Sequence, residues 1–191
     1  YSAALAFGAA HGAGGDFRIR IDDIDGSRSR EEFVAASLAD LEWLGLDWRG
    51  DPVRQSCHLG DYAAALEHLR GRGLVYPCFC TRADIAQSLA APHGPSGTLY
   101  PGTCRPLSTT ERDRRLMDEP HCWRLDMARA AALAGDLRWE EQGQGMRIAN
   151  PLTHGDVVLA RKDAPASYHL ASTIDDAAMA VTHVIRGADL I

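Results

Sequence analysis

The run Phe17-Arg18-Ile19-Arg20-Ile21 alternates apolar with polar side chains and then breaks into the carboxylates Asp22, Asp23 and Asp25. Period-two alternation is a strand signal. Before it, Ala3 to Ala10 is a small-residue helical stretch closed by Gly12, Gly14 and Gly15. After it, Ser29 with Glu32 three positions on has the form of a capping box, and Phe33, Val34, Leu38, Leu41 and Leu44 continue as an apolar helix face stopped by Gly45. Asp61 to Leu69 repeats the helical pattern through Tyr62, Leu66 and Leu69 and ends at Gly71 and Gly73. Helix and strand signals in alternation predict an α/β protein built on a parallel sheet.

From Leu74 the character changes. Thr81 with Asp84 caps a short helix, 92–101 is rich in Gly and Pro, and Ser108 with Glu111 caps another helix. Cys122 to Met127, Leu137 to Glu141 and Asp156 to Arg161 look like strands of a mostly antiparallel region. The expected organisation is a parallel-sheet domain formed by 1–73 and 166–191, split by an inserted α+β subdomain over 74–165.

Size and charge bound the function. With 191 residues and 46% hydrophobic content, the chain can bury a substantial core. No apolar run reaches the ~18 residues of a membrane span, and the alanine-rich start has neither a basic region nor a cleavage site. A cytoplasmic protein is expected, acting as a monomer and without a membrane partner. The net charge of -6 argues against a broadly basic nucleic-acid surface. Arg105, Arg112, Arg114 and Arg115 cluster locally, as a patch for phosphates or, more commonly for such a run, as a solvated helix face.

The acids after the strand do not make a calcium loop. Gly26 is misplaced for one, and no bidentate acid stands at the twelfth position. Pairing with Arg18, Arg20 or Arg28 is the plain structural reading. The end of a parallel strand is also where ligands collect in α/β sheets, and a carboxylate suits an ammonium.

Cys78-Phe79-Cys80 and the later Tyr100-Pro101-Gly102-Thr103-Cys104 supply three thiols that a chain reversal brings together. Free cysteine is a common core residue, and five cysteines with no secretory signal disfavour disulfides. A tetrahedral structural zinc site needs one ligand beyond three thiolates. His93, on the Gly- and Pro-rich stretch, offers a neutral nitrogen as one candidate. Cys122, beside Trp123, is expected in the core, and Cys57-His58 has no visible third partner for nucleophilic work.

The last forty residues carry Tyr168-His169-Leu170-Ala171, Asp175-Asp176, Thr182-His183-Val184-Ile185-Arg186-Gly187 and Ala188-Asp189-Leu190. Together with Arg18-Ile19-Arg20-Ile21-Asp22-Asp23-Ile24-Asp25, this order resembles the glutamyl-type class I aminoacyl-tRNA synthetases, whose first block reads R-I-E-D-T-D or R-I-E-D-I-D. The resemblance implies a Rossmann-like class I catalytic domain. It places Asp22 where the family's acid accepts the α-ammonium of glutamate, one methylene shorter than the usual Glu. It places Tyr168 and Arg186 as the other L-glutamate ligands, and an arginine fork suits the side-chain carboxylate.

Within that family, C-x-C followed by Y-x-x-x-C is similar to the zinc site of glutamyl-queuosine tRNA(Asp) synthetases. The match implies Cys78, Cys80, Tyr100 and Cys104 as ligands of one structural zinc. It further implies ATP with Mg as co-substrates, and tRNA(Asp) containing queuosine as the acceptor. The family's H-x-G-H and K-M-S-K-S signatures for ATP do not occur in these residues, so the sequence reads as an internal segment of such an enzyme. Two other readings remain in view: the catalytic fragment of a glutamyl-tRNA synthetase charging tRNA(Glu), and a non-catalytic zinc-containing RNA-binding module.

Overall fold

A computed structural model describes residues 1–25, 29–90, 99–162 and 164–185, with the side chains of 87–90 left aside. By contacts the chain separates into two compact units, one of residues 1–62 with 171–191 and one of residues 63–170.

The first unit is built around a short parallel pair. Helix α1 (Ser2–Gly12) leads to strand β1 (Arg20–Ile21), which pairs in parallel with β2 (Val53–Arg54), Arg20 opposite Val53. The intervening helix α2 (Glu31–Trp43) makes the crossover that a parallel pair requires. Backbone bonds from Arg49 to Phe17 and from Val53 to Ile19 extend the pairing beyond the two strands. Helix α3 (Leu59–Gly71) follows a turn of 3-10 helix at Gln55–Cys57. The parallel sheet expected from helix–strand alternation is therefore present.

The expected capping box at Ser29 is not. Helix α2 starts at Glu31 with Arg30 as its N-cap and no side-chain cap bond. The acids of its first turn are taken elsewhere: Glu31 accepts two bonds from Arg54 at 2.6 and 2.8 Å, and Glu32 accepts one from Arg30. Glu31 and Glu32 still place negative charge at the helix N-terminus, where the peptide dipole favours it.

The second unit is antiparallel. Strand β3 (Val75–Cys78) pairs with β4 (Cys122–Leu125), and β4 pairs with β7 (Val158–Ala160). Strands β5 (Arg138–Glu141) and β6 (Gly145–Ile148) form a separate hairpin. Helix α4 (Arg82–Ala90) has a reciprocal cap, in which Asp84 donates its N–H to Thr81 Oγ1 and its carboxylate accepts the N–H of Thr81 at 2.6 Å. Ser108 caps α5 (Thr109–Asp118) by accepting the N–H of Glu111. The strand expected over 122–127 stops at Leu125. Asp126 accepts the N–H of Arg129 and starts helix α6 (Met127–Ala134), an alanine-rich run whose propensity favours helix.

One carboxylate ties this sheet together. Asp156 is buried and accepts the Tyr76 hydroxyl, the Met127 N–H at 3.0 Å and the Arg105 guanidinium at 3.3 Å. Removing one partner from such a buried set leaves the others uncompensated. Asp156→Ala should therefore lose about 3 kcal/mol in urea unfolding. Asp156→Asn, which keeps an acceptor oxygen, should lose clearly less. Equal losses for the two variants would show that the carboxylate only fills space.

Candidate functional site

Each unit carries one cluster of functional side chains. In the first unit, alternation along β1 puts Arg20 and Asp22 on the same side, and Arg20 Nε donates to Asp22 Oδ1 at 2.8 Å. Arg20 Nη1 reaches Asp176 Oδ1 at 2.5 Å, and Asp175 Oδ2 lies 3.8 Å from Nε. Burial works to lower the charge state of Arg20, but hydrogen bonds and attraction from Asp22 and Asp176 outweigh it and raise the guanidinium pKa.

Asp175, on helix α7 (Tyr168–Ala178), is buried and accepts the Tyr62 hydroxyl and Gln55 Nε2, both within 2.9 Å. The Tyr62 phenol is pushed up by burial and by its bond to Asp175, so it stays a donor. Asp23 is likewise buried and accepts both the N–H and the hydroxyl of Ser56 at 2.8 Å. Asp22 differs from its neighbours: its side chain is 41% exposed. It stands on a cleft of about 550 Å³ bounded by α1, the segment from Phe17 and α2. That volume falls in the range of small-molecule sites.

In the second unit, β3 ends at Cys78, and the chain turns so that Cys80 and Cys104 come back against it. The three sulfur atoms lie within 4.8 Å of one another, Cys80 and Cys104 being 3.5 Å apart. Thiolates around one zinc at ~2.3 Å would stand about 3.8 Å apart, so the spacing suits a shared metal ion. The Tyr100 hydroxyl is 3.8 Å from Cys80 Sγ and accepts the Cys104 N–H at 2.8 Å. The Phe79 N–H points to Cys104 Sγ. Tyr100 thus faces the sulfur cluster, while His93 lies outside the described residues.

The electrostatics of these thiols are linked. Cys78 is drawn down, first by a hydrogen bond from Cys122 and against burial, with further bonds from Tyr100, Arg124 and the Cys80 backbone. Cys122 is pushed up, chiefly by that same bond and then by burial. Cys80 is pushed up by burial and by Cys104, and Tyr100 by burial and by Cys78. Burial and mutual hydrogen bonding thus favour the thiolate at Cys78 and the neutral form at its neighbours.

Residues 1–191, the whole chain, match the tRNA synthetases class I (E and Q), catalytic domain. The chain belongs to that family. It is 43% identical over 202 residues to the glutamyl-Q tRNA(Asp) synthetase of Rhodobacter capsulatus, covering 100% of this chain and 71% of that protein. Similar relatives are the glutamyl-Q tRNA(Asp) synthetases of Symbiobacterium thermophilum, at 40% identity, and Nocardia farcinica, at 43%. The chain spans 61% and 58% of their lengths. Among solved structures, a glutamate tRNA ligase from Elizabethkingia meningosepticum in complex with its amino acid has a TM-score of 0.77 at 27% identity. The glutamate-tRNA synthetase of Elizabethkingia anophelis has a TM-score of 0.78 at the same identity. Each match covers 98% of this chain and 40% of the larger one.

Within this class I synthetase domain, the expected glutamate ligands fall in different places. Asp22 lies in the first unit, and Tyr168 opens α7 in the second with its ring partly exposed. Arg186 lies outside the described residues. The arginine run on α5 is mostly self-neutralised. Arg114 pairs with Glu111, Arg115 with Glu119, and Arg112 donates to the Arg105 carbonyl. The solvated, ion-paired helix face is the arrangement found.

Three functional neighbours were not visible in the sequence. Arg20 had looked like one of several alternative partners for the acids, and its double grip on Asp22 and Asp176 depends on α7. Gln55 belongs to no sequence motif, and Tyr62 reads only as part of a helix's apolar pattern. Tyr62→Phe should destabilise the domain by about 1 to 3 kcal/mol, because the buried Asp175 loses a donor that water does not replace. A thermal midpoint equal to the parent's would show that Asp175 is adequately held without it.

Proposed function

We propose that the protein containing this domain activates L-glutamate with ATP and Mg and transfers the glutamyl group to the queuosine base of tRNA(Asp). The observation that carries this reading is the Cys78, Cys80, Tyr100 and Cys104 cluster, taken together with relatives of that name at 40 to 43% identity. A hydroxyl brought to three thiols is the donor set that the resemblance implies for one structural zinc. That ion would close the end of β3 onto the turn at 100–104 and supply folding energy. The zinc subdomain in this reading is the inserted region over 74–165.

The amino-acid pocket in this proposal uses Asp22, Tyr168 and Arg186. Asp22 is the exposed carboxylate on the cleft, oriented by Arg20 at 2.8 Å and open to an ammonium on its other side. Arg186 forks onto the γ-carboxylate, and Tyr168 adds an oriented hydroxyl. In the first half-reaction the substrate α-carboxylate attacks the α-phosphorus of ATP and pyrophosphate leaves. In the second, the acceptor group on the queuosine base attacks the adenylate carbonyl and AMP leaves. Side chains that hold charge and position suffice for both steps, and no protein nucleophile is needed. Among the described residues no helix is long and apolar enough to cross a membrane. We place the enzyme in the cytoplasm, acting as a monomer.

The likeness to glutamate tRNA ligases keeps one other reading specific: charging of tRNA(Glu) at its 3' end. The full-length protein separates the two. It should exchange pyrophosphate into ATP with glutamate in the absence of tRNA, and should label queuosine-containing tRNA(Asp) while leaving queuosine-free tRNA(Asp) and tRNA(Glu) unlabelled. Charging of tRNA(Glu) at the 3' end would replace this proposal with the synthetase reading. Arg186→Ala should raise the KM for glutamate by roughly tenfold or more, in line with a charge-assisted bond of about 1.5 to 3 kcal/mol, and leave the KM for ATP near the parent value. Equal losses for both substrates would mean that Arg186 does not contact glutamate.

A further inference from the structure

Behind the thiol cluster lies a buried cation that the resemblance does not assign. Arg124 stands on β4, two residues after Cys122, and the β3–β4 register pairs Cys122 with Cys78 and Arg124 with Tyr76. Its guanidinium is buried. Cζ lies 3.9 Å from the centroid of the Tyr100 ring, a stacked cation–π geometry. Nη1 donates to the Asp156 carbonyl at 2.7 Å. Nε has no hydrogen-bond partner among the described residues. A buried, unpartnered N–H is costly, and this one belongs to a cation set over the Tyr100 ring.

Charge accounting gives the reason. Three thiolates and a phenolate around a divalent ion carry an excess of two negative charges, in a space whose sulfur atoms at 78 and 104 are buried. Lys162 Nζ approaches the carbonyls of Phe79 and Cys80 at 3.4 and 3.3 Å, but from an exposed position. Arg124 is the cation placed inside. It lies over the Tyr100 ring and is itself anchored to the chain at Asp156.

We infer that Arg124 is the outer-sphere positioning residue of this metal site: set over the Tyr100 ring and anchored at the Asp156 carbonyl, it aims the phenol at the ion and offsets the charge of the ligand set. The inference rests on the zinc reading of the cluster, and it concerns how Tyr100 becomes a usable ligand. Cys122 pairs with Cys78 across the β3–β4 register and lies outside the group of three sulfurs that are mutually close.

The test uses the full-length protein loaded with zinc, and with cobalt(II) as a spectroscopic stand-in. Parent, Arg124→Met, Arg124→Lys, Tyr100→Phe and the Arg124→Met/Tyr100→Phe pair are compared by competition with a chromophoric chelator and by cobalt absorption. Arg124→Met should weaken zinc by about 10- to 100-fold, the range for lost outer-sphere partners. Its cobalt ligand-field bands should move to the position seen in Tyr100→Phe, while the sulfur-to-cobalt charge-transfer band persists. Arg124→Lys should recover most of the affinity and the parent spectrum. In the Tyr100→Phe background, Arg124→Met should add no more than roughly threefold.

Parent-like affinity and bands in Arg124→Met would overturn the inference. So would a loss that is equally large in the Tyr100→Phe background, which would assign Arg124 to general packing. If Arg124→Met fails to fold by near-ultraviolet circular dichroism, Arg124→Lys decides alone. Retained parent bands support the inference, and a shift to the Tyr100→Phe bands refutes the part played by charge. A parent protein that binds neither zinc nor cobalt, or a Tyr100→Phe variant with parent bands, would instead refute the underlying metal reading.

Discussion

The sulfur of Cys78 is the point on which the second unit turns. It ends β3, faces Cys122 across the β3–β4 register, and lies within 4.8 Å of the sulfurs of Cys80 and Cys104. Tyr76, Phe79, Cys104 and Cys122 are buried with it, and Tyr100, Leu107, Leu116 and Val158 pack against that cluster. The polar groups of this core are not scattered. Asp156 gathers Tyr76, Arg105 and the Met127 N–H, and its own carbonyl anchors Arg124. A buried polar network confers specificity when every member is satisfied. Here Arg124 Nε is left without a hydrogen-bond partner among the described residues.

The first unit solves a different problem with the same means. A glutamate pocket needs a carboxylate that is fixed in place yet left open to an ammonium. Asp23 and Asp175 cannot serve, since each is buried and has its oxygens filled by protein donors. Asp22 is left exposed, and Arg20 fixes it while itself braced against Asp176. Three neighbouring acids thus separate into two structural groups and one available group through burial and partners alone.

Much of this was legible in the sequence, for reasons that differ by residue. The caps at Thr81 and Ser108 are local devices that a few neighbouring residues decide, and they form as read. Ser29 has the same spacing and does not cap α2, which starts at Glu31 with Arg30 at the N-cap position and Glu32 accepting from Arg30. The end of β4 at Leu125 was hidden because Cys122 to Met127 is apolar enough for a strand, and only the Asp126 cap turns the chain into α6. Cys78, Cys80, Cys104 and Tyr100 were readable from spacing and resemblance. Arg124 was not: its role exists only once β3 and β4 pair in one register, and no local pattern encodes that. Arg20 lay in plain view, but its partner Asp176 is 156 residues away.

The account depends on a metal held by three thiolates and one oxygen, with Cys122 behind rather than among the ligands. X-ray absorption at the zinc edge of the purified full-length protein addresses this most directly. The account predicts three sulfur scatterers at ~2.3 Å and one oxygen at ~2.0 Å. Four sulfur scatterers would put Cys122 in the place given to Tyr100 and contradict it.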